Sequence, residues 1–563
     1  MRIRSSSLLL SILVVGAPIG QAQLTPQQKV SDFAQLASVY AIAYGPAQWK
    51  REALGVDLLN IGAWLDKAAK SGDDLDFYEI MVSYVASLND AHDQFLLPSD
   101  FGASLGFSAD IYDGKVRIDQ ISRTRLPVSR FPFQIGDELL SIDGKPVADL
   151  LAAFSKYSVA GNPLSTRRFA AALLTARWQD VMPRAHEIGD SAAVAVDRGD
   201  AGVVTFIVPW RKSGTPLTSI GPVISPFTGQ ADAAQHDGGP SGRTVHGRNL
   251  RVRRRLVRGF GETQPVFAMP TNFVPRLGLR PSDLFFSGTF QSQGLRLGYL
   301  RIPSFDGYYF DVADFENEVQ YMQQSTDALI LDITRNPGGD ACFAEELLKR
   351  LFRVPFQTVG LQIRATRSWI GDYDYALQTA IEQGEDETSV QQRQDNLRAV
   401  QDAYARPSGM TPPLPICAAS LDLAPAIDKS GKMVAYAKPI VLLVDELSAS
   451  AADFFAAVMQ DNRRAVLFGN RTMGAGGNVE ELPGTTYTSA TTLVTESLMT
   501  RKDTVSSPEY IPAPVIENIG VRPDIFYDFM TKDNLTTGGA DFVNAFTKAA
   551  IDNIRSASAK ALP

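Results

Sequence analysis

Residues 440–459, IVLLVDELSASAADFFAAVM, constrain the fold more than any other stretch of this chain. The apolar run from Ile440 to Val444 has no polar alternation, so it reads as an interior strand covered on both faces. Ala451, Ala452, Phe454, Phe455, Ala456, Val458 and Met459 continue at helical spacing. Ser450 therefore stands where a strand turns into a helix, beside unpaired N–H groups and the positive helix end. That position suits a nucleophile. It equally suits a cap, since Ser450 and Asp453 fit the S-x-x-[DE] pattern and Ser448 is a second candidate N-cap.

The rest of the chain sets the context. Its 563 residues, 45% hydrophobic and 21% charged, suit a globular protein of several domains. A net charge of -8 makes no case for nucleic acid, and the basic cluster at 251–258, RVRRRLVR, reads as a solvated loop or strand. Residues 1–22 carry Arg2 and Arg4, an apolar run and then small residues, the pattern of an export signal cut after Ala22. No later apolar run is long enough to span a bilayer, so a secreted or periplasmic protein is expected. Two cysteines, Cys342 and Cys417, exclude a disulfide scaffold and leave one bridge or two buried thiols open. His92, His186, His236 and His246 lack metal-ligand spacing, so neither a metal nor another cofactor is expected.

Along the chain, residues 23–100 read as a helical unit whose last helix runs to Ala91 and His92. Residues 101–160 change to short strands and turns. Within them, Gly136-Asp137 and Asp143-Gly144 mark turns, and SLGF at 104–107 is similar to the PDZ loop that holds a peptide carboxylate with its N–H groups. Leu105, Gly106 and Phe107 are the candidate peptide-binding residues. A mixed β segment with a turn-rich loop at 221–247 fills 161–290. Residues 291–530 alternate strand and helix, which argues for an α/β core. A polar helical insertion is expected near 365–435, with a helix over 382–404, and a terminal helix in 531–563.

Three further segments stand in order with DELSASAADFF: LNDAHDQF around His92, LDITRNPGGD at 331–340, and VIENIGVRPDIFYD at 515–528. As a set they resemble the C-terminal processing (tail-specific) and tricorn-type serine peptidases. The resemblance implies a crotonase-like (ClpP-like) core of stacked βα units with a PDZ-like domain inserted ahead of it. It makes Ser450 the nucleophile and places the oxyanion hole at the N–H groups of Gly338, Gly339 and Ala451. A Gly-Gly turn allows the close backbone approach that such a hole needs.

The tail-specific branch deprotonates its serine with a lysine in a Gly-Lys-Gly segment. Here Ala475 holds that position, and no lysine lies between Ser450 and Lys502. Tricorn-type relatives use a histidine ahead of the PDZ domain and a glutamate near the end of the core, which match His92 and Glu517. The resemblance thus implies His92 as general base and Glu517 as its orienter. Ala91 replaces the serine that links the two in the tricorn pattern, which leaves Asp90 and Asp93 as alternative orienters. Taken without the resemblance, His92 reads as a helix-end cap and Glu517 as an exposed turn carboxylate.

The expected function is an exported serine endopeptidase that acts on polypeptides through an acyl-enzyme. An inactive relative that binds peptides or apolar ligands is the alternative, and an esterase the third reading. The base must cross from the helical unit to a serine in the core, which makes closure between the two a candidate gate. Cleavage preference and oligomeric state are not legible.

Overall fold

The computed structural model describes residues 23–218 and 257–560. The export signal, the turn-rich loop at 221–247, residues 251–256 of the basic cluster, and His236 and His246 lie outside the described residues. No helix among the described residues is long and apolar enough to cross a membrane.

A seven-stranded sheet forms the core, in the spatial order Val274–Leu277, Phe286–Ser292, Leu295–Arg301, Ala328–Asp332, Ile440–Val444, Val466–Gly469 and Ile525–Phe526. The first two junctions are antiparallel and every later one is parallel. Side chains alternate across the pleat. Leu329, Leu331, Ile440, Leu442 and Val444 join the cluster built on helices Tyr309–Ser325, Ala341–Lys349 and Ala451–Asp461. Ile330, Val441 and Leu443 join Phe542, Phe546 and Ile551 of the terminal helix Ala540–Lys560. With both faces covered, the apolar run 440–444 needs no polar residue, and the expected α/β core is the observed one.

The helical unit comprises Pro26–Ala43, Ala47–Leu54, Gly62–Lys70 and Asp74–Ala86. Thr25 and Gln28 close a capping box on the first. The last helix stops at Ala86 rather than at Ala91 and His92, because Asn89 enters the left-handed region at φ 51° and residues 90–93 form a buried turn. The chain then pairs Gln94–Leu96 antiparallel to the core strand Thr491–Thr495.

The β-rich unit is a sheet in the order Phe107–Tyr112, Lys115–Ile121, Glu138–Ile142, Ser191–Asp197, Val203–Pro209. Its last two strands lie beyond residue 160, so the unit extends well past the expected boundary. The polar insertion is a hairpin of two helices, Arg367–Gln383 and Glu387–Tyr404. The single helix expected over 382–404 is broken at Gly384, a left-handed C-cap at φ 69°.

Cys342 and Cys417 are bridged across 75 residues, which fastens the helix after Gly339 to the strand side of the insertion. Closing a loop of this length restricts the unfolded chain, so Cys342→Ser with Cys417→Ser is expected to cost about 2–5 kcal/mol. Urea unfolding with and without reductant measures it; an unchanged midpoint would show that the bridge adds no stability.

Candidate active site

The turn after strand Ile440–Val444 is fixed by polar groups that leave Ser450 little freedom. Ser448 Oγ donates to the Ile333 carbonyl (2.8 Å), the Asp445 carboxylate accepts the Arg335 N–H (2.8 Å), and the Ala449 N–H donates to the Asn336 carbonyl (2.9 Å). Ser448 is thus a structural serine. Ser450 sits at φ 57°, ψ -117°, a conformation unusual for a residue with a side chain. It is the sharp strand-to-helix turn on which a nucleophilic serine is raised from a sheet edge.

Asp453 holds this turn from below. Its fully buried carboxylate accepts the Ser450 N–H (2.9 Å), the Gly474 N–H (2.9 Å), the Ala475 N–H (3.0 Å) and the Thr472 hydroxyl. The capping pattern read in the sequence is therefore present in its carboxylate half. The same acid also ties down the loop in which the lysine of other relatives would stand. Burial pushes the Asp453 carboxyl up to about 6, against the pull of those donors.

The Asn-Pro-Gly-Gly loop lies directly over Ser450. A Cβ built on Gly338 would meet Ser450 Cβ at 2.6 Å and Ala451 N at 2.9 Å, so only glycine permits this approach. Gly338 and Gly339 hold φ 94° and 143°. One expected donor is not free: the Gly338 N–H donates to Asn336 Oδ1 (2.8 Å), because that asparagine folds the loop back on itself. Among the described residues, the Gly339 and Ala451 N–H groups donate to no protein acceptor. The candidate oxyanion hole thus narrows to Gly339 and Ala451.

His92 is buried in the turn after the helical unit. Its backbone N–H donates to Asp90 Oδ1 (2.9 Å). Asp90 also accepts from Thr495 Oγ1 (3.1 Å) and from the Tyr44 hydroxyl (3.0 Å), and Asp93 accepts from the Thr495 N–H (2.8 Å). Both aspartates thus clamp the histidine turn onto the core strand that it flanks. Ala91 shares an apolar cluster with Leu447, Ala449, Met473 and Ala475, which carries the turn to the loops around Ser450.

Glu517 is fully buried, not an exposed turn carboxylate. Its Oε2 accepts the Gly476 N–H (3.0 Å), and its Oε1 pairs with Lys50 Nζ at 2.5 Å. Burial and the Asp90 carboxylate push the Glu517 carboxyl up, while Lys50 pulls it down. Lys50 escaped the sequence reading because it lies in an ordinary amphipathic helix, far from any motif.

The PDZ-like loop is less open than its sequence suggests. The Leu105 N–H already donates to the Thr175 carbonyl (2.9 Å), and Phe107 begins a strand paired with Ile121. Gly106, at φ 85°, lies under the Arg125 guanidinium, which is anchored to Ser104. His186 bonds Gln179 and takes no part in the site.

Residues 296–526 match the profile of Peptidase family S41, and residues 102–212 match that of a PDZ domain. The chain carries a peptidase region of the family S41 type, with a PDZ domain ahead of it. It is a serine-type peptidase with an inserted PDZ domain. A Chlamydia trachomatis protein is 25% identical over 95% of this chain and 94% of its own length. Carboxyl-terminal-processing peptidase 3 of Arabidopsis thaliana is 28% identical over 182 residues, which cover 32% of this chain and 24% of that protein. The crystal structure of mature CPAF superposes with a TM-score of 0.75 at 22% identity, covering 94% of this chain and 98% of that one, and so shares the fold.

Two substitutions test the geometry. Gly338→Ala forces a methyl into Ser450, and since misplacing reacting groups by 1 Å can cost about 10²-fold, kcat/KM for a peptide should fall by about that factor. Wild-type turnover in a folded Gly338→Ala protein would contradict the contact. Asp453→Asn offers one acceptor oxygen where two serve, so urea unfolding at pH 7 should show a loss of about 1–3 kcal/mol. With its carboxyl raised, native Asp453 retains a proton that the unfolded chain has released. The stability advantage of the wild type over Asp453→Asn should therefore shrink as pH rises from about 4 to about 6, and stay level above that.

Proposed function

We propose that this S41 peptidase is an exported endopeptidase that cleaves polypeptides through an acyl-enzyme on Ser450, with His92 as general base. The observation that carries the reading is the strained Ser450 turn pressed against the Gly338-Gly339 loop, a geometry that capping alone does not require. Ser450 Oγ attacks the scissile carbonyl as His92 accepts its proton. The oxyanion forms beside the Gly339 and Ala451 N–H groups, and collapse expels the amine with the proton returned by His92. Water then repeats the sequence on the ester and restores the serine. Asp90, which accepts the His92 N–H, is the candidate to steady the imidazolium formed in each half-reaction.

Export is supported by the signal pattern at residues 1–22 and by the Cys342–Cys417 bridge, which suits an oxidising compartment. The PDZ domain is the candidate for holding the substrate chain, with Gly106 and Phe107 rather than the engaged Leu105 N–H as its contact.

Fluorophosphonate labelling with mass-spectrometric mapping tests the chemistry. The adduct is expected on Ser450, absent in Ser450→Ala, and slowed by about 10²–10⁴-fold in His92→Ala. Labelling of His92→Ala at the wild-type rate would remove His92 from the role. A folded wild-type protein that takes no label would point to the ligand-binding alternative.

A further inference from the structure

Lys50 occupies a position that the chemistry above does not use. It belongs to the short helix Ala47–Leu54, yet its side chain is fully buried and each ammonium proton has an acceptor: Glu517 Oε1 at 2.5 Å, Asn518 Oδ1 at 2.8 Å and the Asn89 carbonyl at 2.9 Å. Asn518, also buried, donates to the Asn89 carbonyl and to the Gly161 carbonyl, both at 2.8 Å, and accepts the Trp49 indole N–H at 3.0 Å.

Two strings of hydrogen bonds start from this ammonium. One runs through the Asn89 carbonyl to the next residue, Asp90, whose carboxylate takes the His92 N–H. The other runs through Glu517 to the Gly476 N–H, then along the loop to Ala475 and Gly474, which Asp453 binds together with the Ser450 N–H. The Asn518 N–H closes onto the Gly474 carbonyl at 2.9 Å and strengthens the second string. The groups that bear on the pair are Asp90, Asp93, Tyr44 and His92 on one side, and Tyr510 with Arg471 on the other. The carboxylates outnumber the one ammonium set among them.

We infer that Lys50 is a positioning residue: its ammonium fixes the segment carrying His92 against the loops carrying Ser450. This assignment rests on the acyl-enzyme reading above. Arginine in the same space would not serve, since a planar fork cannot donate tetrahedrally to three acceptors. A methionine would leave the Glu517, Asn518 and Asn89 acceptors without the donor that joins them.

The test compares wild type, Lys50→Met, Glu517→Gln and the double variant by fluorophosphonate labelling rate and by kcat and KM on a fluorescently labelled unfolded polypeptide, from pH 6 to 9.5. Lys50→Met is expected to lower kcat at pH 7 by about 10–100-fold with KM little changed, as a displaced base would. The double variant, which removes both ends of the pair, should lose no more than the worse single variant, as two residues acting in one string would. A kcat equal to wild type in Lys50→Met overturns the assignment, as does a loss additive with that of Glu517→Gln. If Lys50→Met does not fold, the double variant, which leaves no unpaired charge, decides: reduced kcat in a folded protein supports the assignment and wild-type kcat overturns it. A folded wild type that takes no label overturns the acyl-enzyme reading and this assignment with it.

Discussion

The site depends on one close approach, that of the Gly338 backbone to the Ser450 side chain. No side chain fits between them, so the loop after strand Ala328–Asp332 and the turn after strand Ile440–Val444 must be held in fixed register. The parallel pairing of these neighbouring strands does this at one end, with Leu329 opposite Ile440 and Asp332 opposite Leu443. At the other end the work passes to polar groups: Asn336 folds the loop, Asp445 takes the Arg335 N–H, and Asp453 takes the Ser450 N–H. Backbone strain at Ser450 persists because these contacts over-determine it.

Three parts of the chain that are remote in sequence meet on this frame, and buried charge marks each junction. Arg168, on helix Pro163–Thr175, pairs with Asp110 of the PDZ-like sheet at 2.7 Å and with Glu446 of the nucleophile turn at 3.0 Å. Lys50 joins the helical unit to Glu517, and Thr495 donates to both Asp90 and Asp93. Apolar contacts would hold these surfaces together without choosing a register. Buried ion pairs contribute little net stability, but a misplaced one is strongly penalised, so they select a single arrangement of the parts.

The sequence was most legible where one local pattern had one physical cause. The apolar run 440–444 and the strand-to-helix turn at Ser450 could be read directly, because a doubly covered strand leaves few residue choices, whereas the glycines at 338 and 339 were placed by the family resemblance. Helix ends were less legible: Gly384 caps one polar helix so that the next starts only at Glu387, and the helix expected to run to Ala91 and His92 stops at Ala86, ahead of Asn89. The burial of Glu517 and the place of Lys50 were illegible for a different reason. Burial of a charge is set by a partner hundreds of residues away, and no local spacing records it. The same holds for the Gly338 N–H, whose capture by Asn336 depends on how the loop closes.

The annealing of strand Gln94–Leu96 to Thr491–Thr495 bears on how the site is controlled. A hinge between the helical unit and the core would have to break this pairing, the Asp90 and Asp93 clamp on Thr495, and the buried Lys50 pair at once. Free swinging of the histidine toward the serine is therefore not the economical motion in this fold. The loop 472–476 is tied to the same frame, by hydrogen bonds to two buried carboxylates, Asp453 and Glu517, by backbone bonds to Ser448, Val521 and Met499, and by the buried Met473 and Ala475. Both carboxyls are raised by burial, so their charge, and with it their capacity to accept, responds to pH and to neighbouring cations.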